Sequence, residues 1–435
     1  MSSANTSIPR DGGILSEYDL PLETSPPAYQ RMISQEEASQ ATLQAPEDGT
    51  IEDTRGYIRE ALRGYDALLV KISEEEKLSE NSKQVFFRHG FNILASTNNH
   101  VLQAVIEGTI PKAMIGNTNP ALKRFLQDSM AEVRAHSEAK QHQPVIYVQY
   151  LANAQGESPT VDELKEIISL VKRYIDGGDQ DVEFACIIDT ARDLPSKKKI
   201  RWDYGERRYL GQYAKDRKVR ANDFCNAVLA RCQGCDGNSR PRPFSEVGYT
   251  NQARTRLQSH LKHESSNWLM NLVDAICAVY FRSYKIQQFV IYKIWDDMQS
   301  SVAEIIFNRL AQSPLETGFG FAYYPAGRST FSSETVPSRQ YKIWAGDALR
   351  TTPLLANVKR EHEMVKKLLA EDRDNRGLQS RIKENQNWEA SLENLGKLAE
   401  VMPDVVKSSE VMKKHGDDMK KISDDLDEFL SEDWE

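Results

Sequence analysis

Cysteine is scarce in this 435-residue chain. Its five residues, Cys186, Cys225, Cys232, Cys235 and Cys277, are odd in number and thinly spread. That count is a poor fit to a disulfide framework and leaves reduced thiols or a metal site. No apolar run approaches the ~18 residues of a membrane span. The opening stretch, MSSANTSIPRDGGILSEYDL, has neither the basic start nor the apolar core of a secretory signal. These absences predict an intracellular protein, nuclear or cytoplasmic, with no membrane association. Phosphate-cradling loops are missing as well: the glycine-bearing segment LETGFGFAYYPAGRS (residues 315–329) has no GK[ST] and no strand-GxGxxG-helix context. It reads as a turn-rich connection that can wall a groove. Nor does one sign of charge dominate, since 56 Lys and Arg stand against 64 Asp and Glu for a net charge of -8. A uniformly basic nucleic-acid coat is excluded, but a basic patch is not.

What is present is segregated. Residues 1–53 are rich in Ser, Pro, Gly and acids without apolar periodicity, and read as a disordered acidic leader. Residues 54–140 carry helical spacing, with Ile58, Ala61, Leu62, Tyr65, Leu68, Leu69 and Ile72 on one face of a single helix of about five turns. Further helices are expected over 79–94, 99–107 and 120–140. From 141 to 335 the chain turns αβ. PVIYVQYL (144–151) is a strand, Ser158 to Glu163 opens a helix with a capping signature, and 182–188 reads as a buried strand. Residues 336–435 form a loop, charged helices and an acidic tail. The predicted class is α+β, a small central sheet flanked by helices, with an N-terminal helical domain and a charged helical C-terminal tail.

Between Arg192 and Arg220, eleven basic residues face four acidic ones, with Trp202, Tyr204, Tyr209 and Tyr213 interleaved. Lys197, Lys198, Lys199, Arg201, Arg207 and Arg208 are the candidate nucleic-acid contacts, since this mixture pairs phosphates and offers stacking faces. A second candidate site is CxxC (Cys232, Cys235) with HxxH (His260, His263), two thiolates and two imidazoles that would suit Zn2+. The alternative is a glycine-bearing loop with free thiols.

The most informative stretch is FSEVGYTNQARTRLQSH, residues 244–260. It reads as a strand followed by a helix in which Ala253, Leu257 and Leu261 share one face, with Arg256 and His260 four apart on its flank. Gly248, Thr250, Arg256 and His260 have the spacing of the second half of the GIY-YIG nuclease hallmark. Val145, Ile146 and Tyr147 stand where the first half would lie. The chain therefore resembles that family over the αβ region. A helix over 265–281, a strand over 287–295 and a helix containing Glu304 follow in a compatible order, with Val302, Ile305, Ile306 and Leu310 expected to be buried and Glu304 and Asn308 on the other face. The resemblance implies that Glu304 holds Mg2+, Arg256 clamps the phosphate, Tyr147 helps activate water and His260 assists.

This sequence departs from the pattern at three places, the first being Val145 where the hallmark has its leading glycine. Glu246 replaces the second tyrosine, and a basic insertion at about 152–242 separates the two hallmark strands, where a hairpin of a few residues would be ordinary. The functional expectation is metal-dependent nucleic-acid phosphodiester hydrolysis or, with a degenerate site, nucleic-acid binding. The rival is a non-enzymatic scaffold that recruits protein partners through its acidic termini and helices.

Overall fold

The computed structural model describes residues 56–115, 119–138, 143–192, 200–202, 205–264, 267–328, 333 and 335–372. The acidic leader, the acidic tail and Lys197, Lys198 and Lys199 lie outside the described residues. Within them are fourteen α-helices and one three-stranded antiparallel sheet of order β2-β1-β3, an α+β architecture. The strands are β1 (Val145–Ala152), β2 (Ser245–Thr250) and β3 (Lys285–Lys293). β1 is central and all eight of its residues are buried, which explains its nearly unbroken apolar run.

Five helices precede the sheet in the first packed layer: α1 (Tyr57–Arg63), α2 (Tyr65–Glu75), α3 (Glu80–Ser96), α4 (Asn99–Glu107) and α5 (Ile110–Ala113). The single helix expected at the start is two helices broken at Gly64. There φ is +124°, and an added Cβ would sit 2.8 Å from Met364 Cε. Only glycine allows the backbone to turn there while another helix passes so close. The broken end is then capped from far away, because Glu361 accepts the Tyr65 N–H at 2.8 Å.

α6 (Pro120–Glu138) lies on the opposite side of the sheet, against β3. The insertion after β1 contains α7 (Val161–Asp176), α8 (Val182–Thr190) and α9 (Ala214–Arg231). α7 starts at the expected capping box, in which Thr160 and Glu163 exchange side-chain and backbone hydrogen bonds. α8 corrects an expectation: its apolar run forms a helix, not a strand. Phe184, Ala185 and Ile188 bury one helical stripe while Asp189 enters a hydrogen-bond cluster. A short apolar run alone does not distinguish these outcomes.

β2 leads into α10 (Ala253–Leu261), then α11 (Trp268–Tyr280), β3 and α12 (Gln299–Leu310). α12 packs between the sheet and α3. The chain closes with α13 (Ser338–Thr351) and α14 (Leu354–Asp372), the latter against α3.

Strand alternation divides the sheet chemically. Ile146, Val148, Tyr150, Val247 and Tyr249 face the core built by α1 to α4, α12 and α14. Val145, Tyr147 and Val290 face Ala253 and Leu257 of α10, with Met130 and Val133 of α6 beside them. The insertion builds another core with α11, including Leu164, Ile168, Phe224, Leu272 and Ile276.

Candidate functional site

The site grows from the α10 face of the sheet. Tyr147 on β1 pairs with Gly248 on β2, so both occupy the same face. A Cβ on Gly248 would stand 2.4 Å from the Tyr147 hydroxyl. Glycine is needed for this close approach, which lets the phenol lie across β2 toward α10.

Beyond Gly248, the backbone rises into α10, which carries Arg256 and His260 one turn apart. Arg256 Nε donates to the Tyr147 hydroxyl at 3.4 Å, and that hydroxyl lies 2.9 Å from His260 Nε2. Because the guanidinium only donates, the hydroxyl is left to direct its own hydrogen to His260. The imidazole is thus neutral, with Nδ1 protonated and without a hydrogen-bond partner. Burial, followed by the charges of Arg256 and His263, pushes its pKa down to about 3. Burial raises the Tyr147 pKa, and nearby Glu246 raises it further.

Glu246 pairs with Gln149 across the β1–β2 ladder. Gln288 Nε2 donates to Gln149 Oε1 at 2.9 Å, and Gln149 Nε2 donates to Glu246 Oε2 at 3.3 Å. Asn267, which caps α11 by accepting from Met270 N, also hydrogen-bonds Glu246. Burial and the nearby Glu304 carboxylate raise the Glu246 pKa to about 7, against the lowering effects of Asn267 and Arg256.

Glu304 lies on α12 at the outer edge of β2. Its Oε2 accepts the Gly327 N–H at 2.9 Å, and the Tyr249 N–H also bonds its carboxyl. Burial raises its pKa, opposed by those two backbone donors and Arg256. Burial works against the Arg256 charge, but Tyr147, Glu246 and Glu304 more than offset it and its pKa is raised. Arg256, Glu246 and Glu304 are half-buried above the fully buried Tyr147 and His260. The arrangement is a cation between two carboxylates over a phenol-imidazole floor.

Tyr147, Arg256, His260 and Glu304 are therefore gathered, together with Glu246. Asn308 stands one turn beyond Glu304 on the same helix, as expected, but it is buried.

The other sequence candidates are placed elsewhere. Arg207 and Arg208 are buried; Arg207 donates to the carbonyl of its neighbour Glu206, and Arg208 ties the insertion together by donating to the carbonyls of Asp189 and Arg192. Arg201 is exposed and paired with Glu206. Cys232 is buried and Cys235 exposed at the end of α9, while His260 bonds Tyr147 and His263 lies between Tyr209 and Asp274. Among the described residues, no group of three or more His, Cys, Asp or Glu side chains gathers around a potential metal position. The Cys pair and His pair do not converge on a tetrahedral zinc set.

Sequence reasoning missed the supports. Gln149 and Gln288 looked like ordinary strand positions, although glutamine inside a buried strand was a usable signal. Asp274, His263 and Tyr209 form a buried relay: Tyr209 Oη is 2.7 Å from His263 Nδ1, and His263 Nε2 is 2.9 Å from Asp274 Oδ2. Arg192 closes it on Asp274 at 2.9 Å. The relay anchors the insertion to α11 beside the site.

The glycine-bearing segment borders the site as a wall. Ser245 and Phe319 to Phe321 exchange backbone hydrogen bonds at the start of β2, bringing Gly327 to Glu304 and the Tyr323 phenol near Glu246.

The chain matches no protein-family model, no curated protein and no solved structure.

Proposed function

We propose that the chain is a metal-dependent nuclease acting through a variant GIY-YIG-like site. The reading rests on one observation: Arg256 and His260, 109 and 113 positions after Tyr147, converge on its hydroxyl, and the Arg256 cation is also held by the charges of Glu246 and Glu304. Phosphodiester hydrolysis needs an anion clamp, a carboxylate for a hard cation and a group that manages the proton of the attacking water.

Glu304 fits Mg2+. Its carboxylate is oriented by two backbone donors and remains half-buried at the rim, and Mg2+ commonly takes one or two protein carboxylates while keeping several waters. Bound there, the cation would supply Lewis-acid stabilisation of charge developing on the phosphate oxygens. Arg256 binds the phosphate through its planar guanidinium and holds the Tyr147 oxygen in place. The buried Tyr147 hydroxyl, donating to neutral His260, fixes the guanidinium that faces the phosphate. Glu246 supplies a carboxylate where the resembled family has a tyrosine, and its pKa near 7 suits a group that takes a proton at neutral pH.

A nicking and cleavage assay over single-stranded, double-stranded and branched DNA and RNA tests the reading. Mg2+-dependent cleavage should fall at least a hundredfold in Glu304→Ala and Arg256→Ala while both variants keep the wild-type circular dichroism. Salt-sensitive binding without cleavage would leave a binding module. Absence of both cleavage and binding at low salt would overturn the proposal and favour a protein scaffold.

A further inference from the structure

Beside the site runs a continuous row of aromatic rings and one guanidinium that the cleavage chemistry does not use. At one end, Tyr213 is 59% exposed just before α9. The Arg217 guanidinium stands 5.7 Å from the Tyr213 ring centre and 5.4 Å from that of Trp268. Trp268 is 5.7 Å from Tyr323, and Tyr323 is 4.6 Å from Tyr324. Tyr324 ends the row with 66% exposure. Its middle is anchored: Trp268 is buried, and Arg217 Nη1 donates to the Tyr209 carbonyl at 2.7 Å. Two tyrosines are thus held outward at the ends of a fixed row, despite the cost of leaving large rings in water.

Position and charge indicate the occupant. Phe321, two residues before Tyr323, donates its N–H to the carbonyl of Ser245 beside Glu246, and its own carbonyl accepts from Asn267 beside Trp268, so the row runs past the rim of the candidate site. At the Tyr213 end, residues 213–220 contain Lys215, Arg217, Lys218 and Arg220 against Asp216. At the other end, Tyr323 and Tyr324 border a cleft of about 880 Å³ whose charges balance, Arg220, Arg309 and Arg328 against Glu76, Asp223 and Glu316, so the excess of positive charge lies at the Tyr213 end of the row. Separated flat rings beside cations match a polyanion whose bases are available for stacking; bases inside a duplex already use both faces. A protein ligand would have less use for this combination of rings and a basic flank.

We propose that the Tyr213–Arg217–Trp268–Tyr323–Tyr324 row is a stacking track for an unpaired polynucleotide strand, delivering it to the Glu246–Arg256–Glu304 rim. This deepens the nuclease reading and rests on it for the direction of delivery. The substrate class it assigns is nucleic acid with a single-stranded segment. The phosphates pass the basic first turns of α9 while bases rest on Tyr213 and Tyr324.

The test uses the full chain and fluorescence anisotropy at low salt, with labelled 20-nucleotide single strands of DNA and RNA and the matching duplexes. Single strands should bind at least tenfold more tightly than duplexes, and the DNA and RNA arms identify the preferred sugar. The double variant Tyr213→Ala, Tyr324→Ala should lose at least tenfold in single-strand affinity with an unchanged melting temperature. Tyr213→Phe, Tyr324→Phe should retain it, because the ring and not the hydroxyl stacks. Equal affinity for single strands and duplexes, or unchanged affinity in the alanine double variant, would overturn the track. If Glu304-dependent cleavage persists in that case, the nuclease reading survives without the track. Absence of binding by every oligonucleotide overturns the track, and with absence of cleavage it overturns both.

Discussion

Tyr147 and His260 show how one buried contact couples stability to the chemistry above it. Removing the hydroxyl in Tyr147→Phe leaves His260 Nε2 without its donor in a pocket that already holds an unpartnered Nδ1. A buried polar atom stripped of its partner costs about 1–3 kcal/mol. Urea unfolding should show that loss, with the native far-UV spectrum retained; an unchanged midpoint would mean the contact is not formed. Glu246 makes a pH prediction. Its carboxyl rises from 4.5 to about 7 on folding, mainly through burial, so through that window the folded chain retains a proton that the unfolded chain releases. Its contribution to stability is therefore lost as pH rises from about 5 to 7. Asp66, raised from 3.8 to about 7 by burial and Glu361, contributes in the same direction. His260 opposes both: its pKa is depressed, so stability is lost as pH falls below 6.5 toward about 3. The melting temperature of Glu246→Gln minus that of wild type should accordingly increase from pH 5 to 8. A difference independent of pH would show that Glu246 does not titrate there.

At the scale of elements, close approach and satisfied carbonyls hold the site together. Gly248→Ala forces a methyl into the Tyr147 hydroxyl. Overpacking of this kind costs about 1–3 kcal/mol, and here it displaces the phenol from Arg256 and His260. Cleavage should fall by more than the stability loss explains when assayed well below the melting temperature. Arg242 acts through its hydrogen bonds. Buried before β2, it donates to the carbonyls of Val105, Ile106 and Ala311 and so joins the C-terminal ends of α4 and α12. Arg242→Ala should cost about 3 kcal/mol, measured by chemical denaturation, because several buried carbonyls lose charged donors together. Element identity was legible wherever a local signal was strong. The capping box of α7, β1 with its crowd of β-branched and aromatic residues, and the strand-to-helix passage around Gly248 all stand where periodicity placed them. α8 is not legible locally, because an apolar run of seven residues fits a buried strand or a helix face. The break at Gly64 was missed because its cause, Glu361 and Met364, lies about three hundred residues downstream.

Across the whole molecule, the N-terminal helices and the sheet share one core with α12 and α14. α14 is held by Asn357, whose Nδ2 donates to the Ala95 carbonyl at 2.9 Å, and by Glu361 at the start of α2. Glu361→Ala should therefore speed amide exchange at the start of α2 as well as in α14, while protection in α7 and α9, which belong to the other large core, stays unchanged. Exchange that accelerates only in α14 would show that the two ends of the chain are not coupled. Among the described residues, no helix is long and apolar enough to cross a membrane.

The charge segregation, the three strands and most helices follow from the sequence itself, since composition and periodicity are local properties; Tyr147, Arg256, His260 and Glu304 stand out in it only through a resemblance, and their meeting is a tertiary matter. Tertiary structure decided what those residues meet. It set Glu246 in a polar ladder from Gln288, buried Arg207 and Arg208 inside the insertion, separated the Cys and His pairs, and aligned Tyr213, Trp268 and Tyr324 in a row. Such relations depend on which faces pack across long stretches of chain. A one-residue shift in strand register or a rotated helix would rearrange them without changing the local pattern.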